Sequence, residues 1–156
     1  MRIEILKEHK KFEKKRIHKL IRNVIKFALE EALPVDKFQV KESLIYVELE
    51  TLTEGAGVYA MDEVPHRQFS MSVANDLNLS QTIEAVSHEC VHIWQQLRGD
   101  LITTDTVIPY NIWKGKIYPW VENYSWRYFN APWEQEAYAL APYLYYNFLN
   151  KMKGDI

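Results

Sequence analysis

The chain has 156 residues, 47% hydrophobic and 26% charged; this is the size and composition of one globular domain, spanning 1–156, and excludes a disordered chain or one that needs disulfide staples. Its 19 Lys+Arg against 21 Asp+Glu leave a formal net charge of -2, which gives no electrostatic reason to expect a nucleic-acid or membrane partner. The opening MRIEILKEHKKFEKK is too charged for a secretory apolar region, no apolar run reaches the roughly 18 residues of a membrane span, and the single cysteine, Cys90, excludes an intramolecular disulfide, so the expected location is cytoplasmic.

The basic run KEHKKFEKKRIHK is interleaved with glutamates and reads as a solvated helix face. Behind it, Ile17, Ile21, Val24, Ile25, Ala28 and Leu29 recur at helical spacing until Pro34 stops the pattern, which predicts a first helix. Three stretches with strand character follow: FQVKESLIYVELE, then GVYAMDE after the flexible TEGAG, then RQFSMSVAND, where Phe69, Met71 and Val73 alternate with polar neighbours. Their short connections predict an antiparallel sheet of about three strands. Asn78 or Ser80 can cap a second helix that runs to about Leu97 and ends at Gly99. Residues 101–129 mix prolines, aromatics and β-branched residues without a helical period, with a small hairpin around Gly115 in WKGKIY. A last helix starts near Asn130, takes Pro132 in its first turn, is expected to kink at Pro142 and ends at Gly154. The expected class is α+β: an N-terminal helix on a short antiparallel or mixed sheet, a central helix, an irregular aromatic-rich segment and a C-terminal helix.

The central helix carries the chemistry, in AVSHECVHIWQQLRGDL, where His88 and His92 stand four apart and Glu89 follows the first. Positions four apart share a helix face, so two imidazoles can reach one ion, while the glutamate flanks it and can act as general base toward a bound water. Zinc (Zn2+) suits imidazole and carboxylate ligands, and a catalytic site uses three protein ligands with the fourth position left for water. No histidine follows His92, so a third ligand from downstream is a carboxylate: Asp100, Asp105, Glu122, Glu134, Glu136 or Asp155. Glu134 and Glu136 open the last helix in APWEQEAYA, but two positions apart they point about 200° from each other, and one at most binds the ion. His66, in EVPHRQ, is an alternative third ligand or oxyanion donor; as a turn histidine it is expected to face water.

HECVH on one helix with EQEA on a later one resembles the minimal gluzincin-like zinc metallopeptidases, including the ImmA/IrrE-like group. The preceding strands and the wording HECVHIWQ are also similar to SprT-like and phage-encoded metallopeptidases. The resemblance covers about residues 55–140 and implies a small zincin-like fold. It also implies Glu134 as third ligand, Ala137 as the small residue that lets the two helices approach, and Glu136 outside the ligand set. The chain departs from the SprT-like pattern, which uses a downstream histidine, and from the ImmA-like pattern, which has Asn where Tyr138 stands.

The reading that follows is zinc-dependent hydrolysis of a protein or peptide substrate, with Glu89 moving the proton and a tyrosine, Tyr138 or Tyr124, donating to the oxyanion. RQFSMSVAND is expected to be an exposed edge to which a peptide can add as a strand. The alternative is a zinc-stabilised binding or regulatory module without turnover; weaker still is a structural component without metal. Tyr110, Trp113, Tyr118, Trp120, Trp126, Tyr128 and Trp133 read mainly as core and wall packing. Cys90 points away from both histidines as a small core residue, and Gln95 and Gln96, one turn after His92, could reach the site from behind its ligands, although exposure is the commoner fate.

Overall fold

The computed structural model describes residues 1–6, 13–52, 56–60, 67–104, 109–120 and 125–154. The first strand, β1 (Arg2–Ile5), precedes helix α1 (Glu13–Lys26), which continues as a π-helical turn through Phe27–Ala32. Ile21, Val24, Ile25, Ala28 and Leu29 are all buried, as their spacing requires. The next stretch differs from the expected strand: Asp36 caps a short helix α2 (Lys37–Glu42) by accepting from the Phe38 amide at 2.7 Å, and strand β2 begins only at Leu44 and runs to Glu50. The capping carboxylate satisfies an otherwise orphaned amide and so overrides the strand propensity of Phe38 and Val40.

Strands β3 (Ala56–Ala60) and β4 (Gln68–Ala74) complete a four-stranded sheet of order β1-β2-β4-β3. The sheet is mixed, not antiparallel: β1 pairs parallel with β2 and β2 parallel with β4, and only β3 runs antiparallel, against β4. The expectation of an exposed edge at RQFSMSVAND is therefore corrected. Alternating Phe69, Met71 and Val73 show which face of β4 meets the core, but alternation carries no information about lateral position, and β4 lies inside the sheet. The edge beside it is β3, which has no further strand partner among the described residues.

Ile45, Val47 and Leu49 of β2 join the β4 side chains in a core closed by α1, by helix α3 (Leu79–Leu97) and by helix α5 (Pro132–Gly154). Asn78 and Gln81 form a reciprocal capping box at the start of α3, each bond 3.0 Å, whereas Ser80 bonds the Tyr145 hydroxyl at 2.7 Å. At the other end the Gly99 amide bonds the Gln96 carbonyl and the Asp100 amide the Gln95 carbonyl, a closure that needs the left-handed φ of +73° at Gly99.

The segment after α3 is more regular than its composition indicates. It forms a three-stranded meander of β5 (Leu101–Thr103), β6 (Tyr110–Trp113) and β7 (Lys116–Pro119), then the single turn α4 (Trp126–Phe129). The hairpin around Gly115 is present, with positive φ at both Lys114 and Gly115 as a tight primed turn requires. Leu101, Trp113, Ala131 and Trp133 form a second, smaller core under this sheet. Helix α5 starts at Pro132 and stays one helix through Pro142. No helix among the described residues is long and apolar enough to cross a membrane.

Candidate metal centre

The longest contact between helices is that of α3 with α5, and the α5 side of it is a stripe of Glu134, Ala137, Ala141, Leu144 and Phe148, all buried. Spacings of three and four keep these residues on one face. Two alanines in that stripe let the helix backbones approach closely, and the approach brings Glu134 to the histidines of α3. The His88 and His92 Nε2 atoms are 3.1 Å apart. Glu134 places one carboxylate oxygen 3.2 Å from His88 Nε2 and the other 3.3 Å from His92 Nε2.

Three ligand atoms about 2.05 Å from a tetrahedral zinc would stand about 3.3 Å from one another. The observed triangle has that size, and its donors, two imidazoles and a carboxylate, are those a borderline divalent ion accepts. The three residues lie close enough to bind one metal ion, and the residues present fit it.

Without an ion the same atoms share protons. Burial works against a charge on His92, but hydrogen bonding to Glu134, the charges of Glu134 and Glu89 and the bond to Gln95 outweigh it and raise the imidazole to about 9. For Glu134, burial favours the neutral acid, yet its bonds to His88 and His92 and their charges hold the carboxyl down at about 2. The pair is thus an anion and a cation held together by hydrogen bonds.

One side of this cluster opens into a cleft of 330 Å³ lined by His88, Glu89, Tyr128 and Tyr138, with Ala56, Leu77, Ala85, Ala141 and Pro142 as apolar walls and Gln81 and Glu84 on the preceding turns of α3. Glu89 is buried, and its charge acts on His92 and Tyr128, which places it beside the triangle without being part of it. Tyr138 is 45% exposed on the cleft wall, its ring centroid 4.7 Å from that of His88. Tyr124 and His66 lie outside the described residues, as do Asp105, Glu122 and Asp155. Asp100 is paired with Arg98, and Glu136 faces away from the triangle toward Gln95, Arg98 and Lys114. Of the two glutamates of EQE, only Glu134 reaches the histidines.

Two residues of this site had no local signal strong enough to single them out. Tyr128 hydrogen-bonds Glu134, and burial followed by the Glu134 charge pushes its phenol upward, so it stays a donor. Its only sequence mark is its place in a Ser125-capped turn just before the ligand helix. Gln95, expected at the surface, is completely buried and accepts from His92 Nδ1 at 2.9 Å; Gln96 is buried as well. A glutamine three positions after a ligand shares its helix face, and that spacing was the available clue. Cys90 is a buried core residue as expected, its thiol pushed up by burial and then by Glu89. The aromatic set divides: Trp113, Trp133 and Tyr118 pack on one another, whereas Trp120 and Trp126 are exposed.

The chain matches no protein-family model, no curated protein and no solved structure. The fold and the site define its class: an α+β domain in which two helices bring together a His-His-Glu triangle, one member of which, His88, lines a cleft.

Proposed function

We propose that the protein is a zinc-dependent metallopeptidase whose ligands are His88, His92 and Glu134. The observation that carries this reading is the 3.1–3.3 Å triangle of side-chain atoms, drawn from two helices, beside a cleft lined by His88 and by the buried carboxylate of Glu89. A bound zinc ion would supply Lewis acidity, polarising a carbonyl and making a water acidic enough to react near neutral pH.

The remaining work falls to the chain's own groups. Glu89 accepts a proton from the attacking water and passes it to the leaving amine. Tyr138, on the cleft wall beside His88, donates its phenolic hydrogen to the oxyanion, and Tyr128 holds the Glu134 carboxylate by a hydrogen bond. The substrate lies extended along β3, the sheet edge without a further strand among the described residues, whose Ala56 lines the cleft, and is held by main-chain hydrogen bonds. Among the described residues no lysine or arginine lines the cleft, and Glu84 makes no ion pair. Apolar walls with one free carboxylate favour a substrate side chain with an aliphatic stem and a cationic end.

The test is metal analysis of the purified protein together with cleavage of a quenched-peptide library, with and without chelator. Chelator-sensitive cleavage restored by zinc supports the reading. Stoichiometric metal with no cleavage of any peptide would replace it with a metal-stabilised binding module.

A further inference from the structure

Gln95 is a wholly buried amide whose three polar contacts all bear on the metal cluster, and their chemistry leaves it a single orientation. Its nitrogen lies 2.9 Å from the Trp133 carbonyl and 3.0 Å from a Glu136 carboxylate oxygen. The carbonyl can only accept, and the carboxylate is itself held by Arg98 at 3.2 Å and Lys114 at 3.6 Å. Turning the amide over would set its oxygen against both acceptors. The oxygen is therefore committed to His92, 2.9 Å from Nδ1, and only an N–H there can meet it.

Resting on the reading of the cluster as a metal centre, we propose that Gln95 is the positioning residue of that centre, with Glu136 orienting it. A hydrogen fixed on Nδ1 leaves Nε2 of His92, the atom that meets His88 and Glu134, as the nitrogen free to give its lone pair to an ion. The same side chain grips the carbonyl of Trp133, the residue before Glu134. One amide thus sets the tautomer of a ligand on α3 and the placement of the ligand-bearing turn of α5. It also separates the roles of the two glutamates in EQE: Glu134 binds the ion, and Glu136, tied to the meander turn through Lys114, keeps the amide of Gln95 from turning over. Packing alone would be served equally by leucine, which has similar volume and no polar atom.

The experiment is a zinc titration against a chromophoric chelator for the wild-type protein and Gln95→Leu, with circular dichroism as the control for folding. Zinc affinity of Gln95→Leu should fall about 10- to 100-fold with the fold retained. Equal affinity for the two proteins would overturn the proposal while leaving the metal centre intact; wild-type protein that binds no zinc would overturn both. Should Gln95→Leu fail to fold, long-range ¹⁵N–¹H spectra of zinc-loaded wild-type protein decide. A hydrogen on Nδ1 of His92 with Nε2 on the metal is expected, and the reverse arrangement would refute the assignment.

Discussion

Stripping the metal with a chelator should soften this protein without unfolding it. The core of α1, β2, β4 and α3, from Ile21 and Phe69 to Ile93, is apolar and continuous and owes nothing to an ion. The metal-free cluster is itself paired, with Glu134 held ionised between two imidazoles. An ion that binds only the folded chain adds about 2.7 kcal/mol when its free concentration is about 100 times the dissociation constant. For a chain of this length about 1 kcal/mol corresponds to roughly 2–4 °C in the midpoint. Chelation should therefore lower the melting temperature by about 5–11 °C, with a transition that stays cooperative. Differential scanning calorimetry of zinc-loaded and chelated protein reads this directly, and His92→Ala should abolish the difference. An identical midpoint in chelator would mean no ion is bound, and loss of the transition on chelation would mean that the metal holds up the fold, as in a zinc finger.

Four further outcomes follow from the geometry and the charges. Glu89→Gln should keep stoichiometric zinc but lose about 10²- to 10⁴-fold in peptide turnover, the usual contribution of a general base; an unaltered rate would remove Glu89 from the chemistry. Zinc affinity should rise with pH by up to tenfold per unit through the neutral range, because the ion displaces the proton that His92 holds up to about 9; isothermal titration in buffers of different ionisation enthalpy should show the release, and a flat affinity would contradict it. The metal-free fold should behave oppositely. The raised His92 stabilises it below its ordinary value of 6.5, a contribution lost as pH climbs toward 9, and the lowered Glu134 stabilises it above 4.5, a contribution lost as pH falls toward 2, so chelated protein should melt highest between 4.5 and 6.5. Finally, Glu84→Lys should reverse a preference for lysine- or arginine-containing peptides over acidic ones; an unchanged profile would detach Glu84 from specificity.

How far the sequence could be read depended on whether each feature is local. The apolar period of α1, the glycine stop at Gly99 and a cap at Asn78 or Ser80 are set within a few residues; the first two stand where the pattern placed them, and of the two cap candidates it is Asn78 that caps α3. His88, Glu89 and His92 share this property, since a helix alone puts both rings on one face. The residues alone brought Glu134 forward beside Glu136, and only its likeness to an E-x-x-A motif singled it out, because its meeting with α3 depends on Ala137 and Ala141 packing across the helix pair. Strand β1 was hidden by its brevity and the charge run after it, and the parallel pairing of β2 with β4 by connections that do not reveal direction. Tyr128 and Gln95 were weighed only as less favoured site residues for a different reason: each matters through a partner on another element, Glu134 in one case and Glu136 with Trp133 in the other.

The central claim is tested most directly by diffraction from zinc-loaded crystals at the zinc absorption edge. One anomalous peak is expected about 2.0–2.2 Å from His88 Nε2, His92 Nε2 and a Glu134 oxygen, with a fourth position facing the cleft. A peak elsewhere, or an ion closed off by four protein ligands, would contradict it.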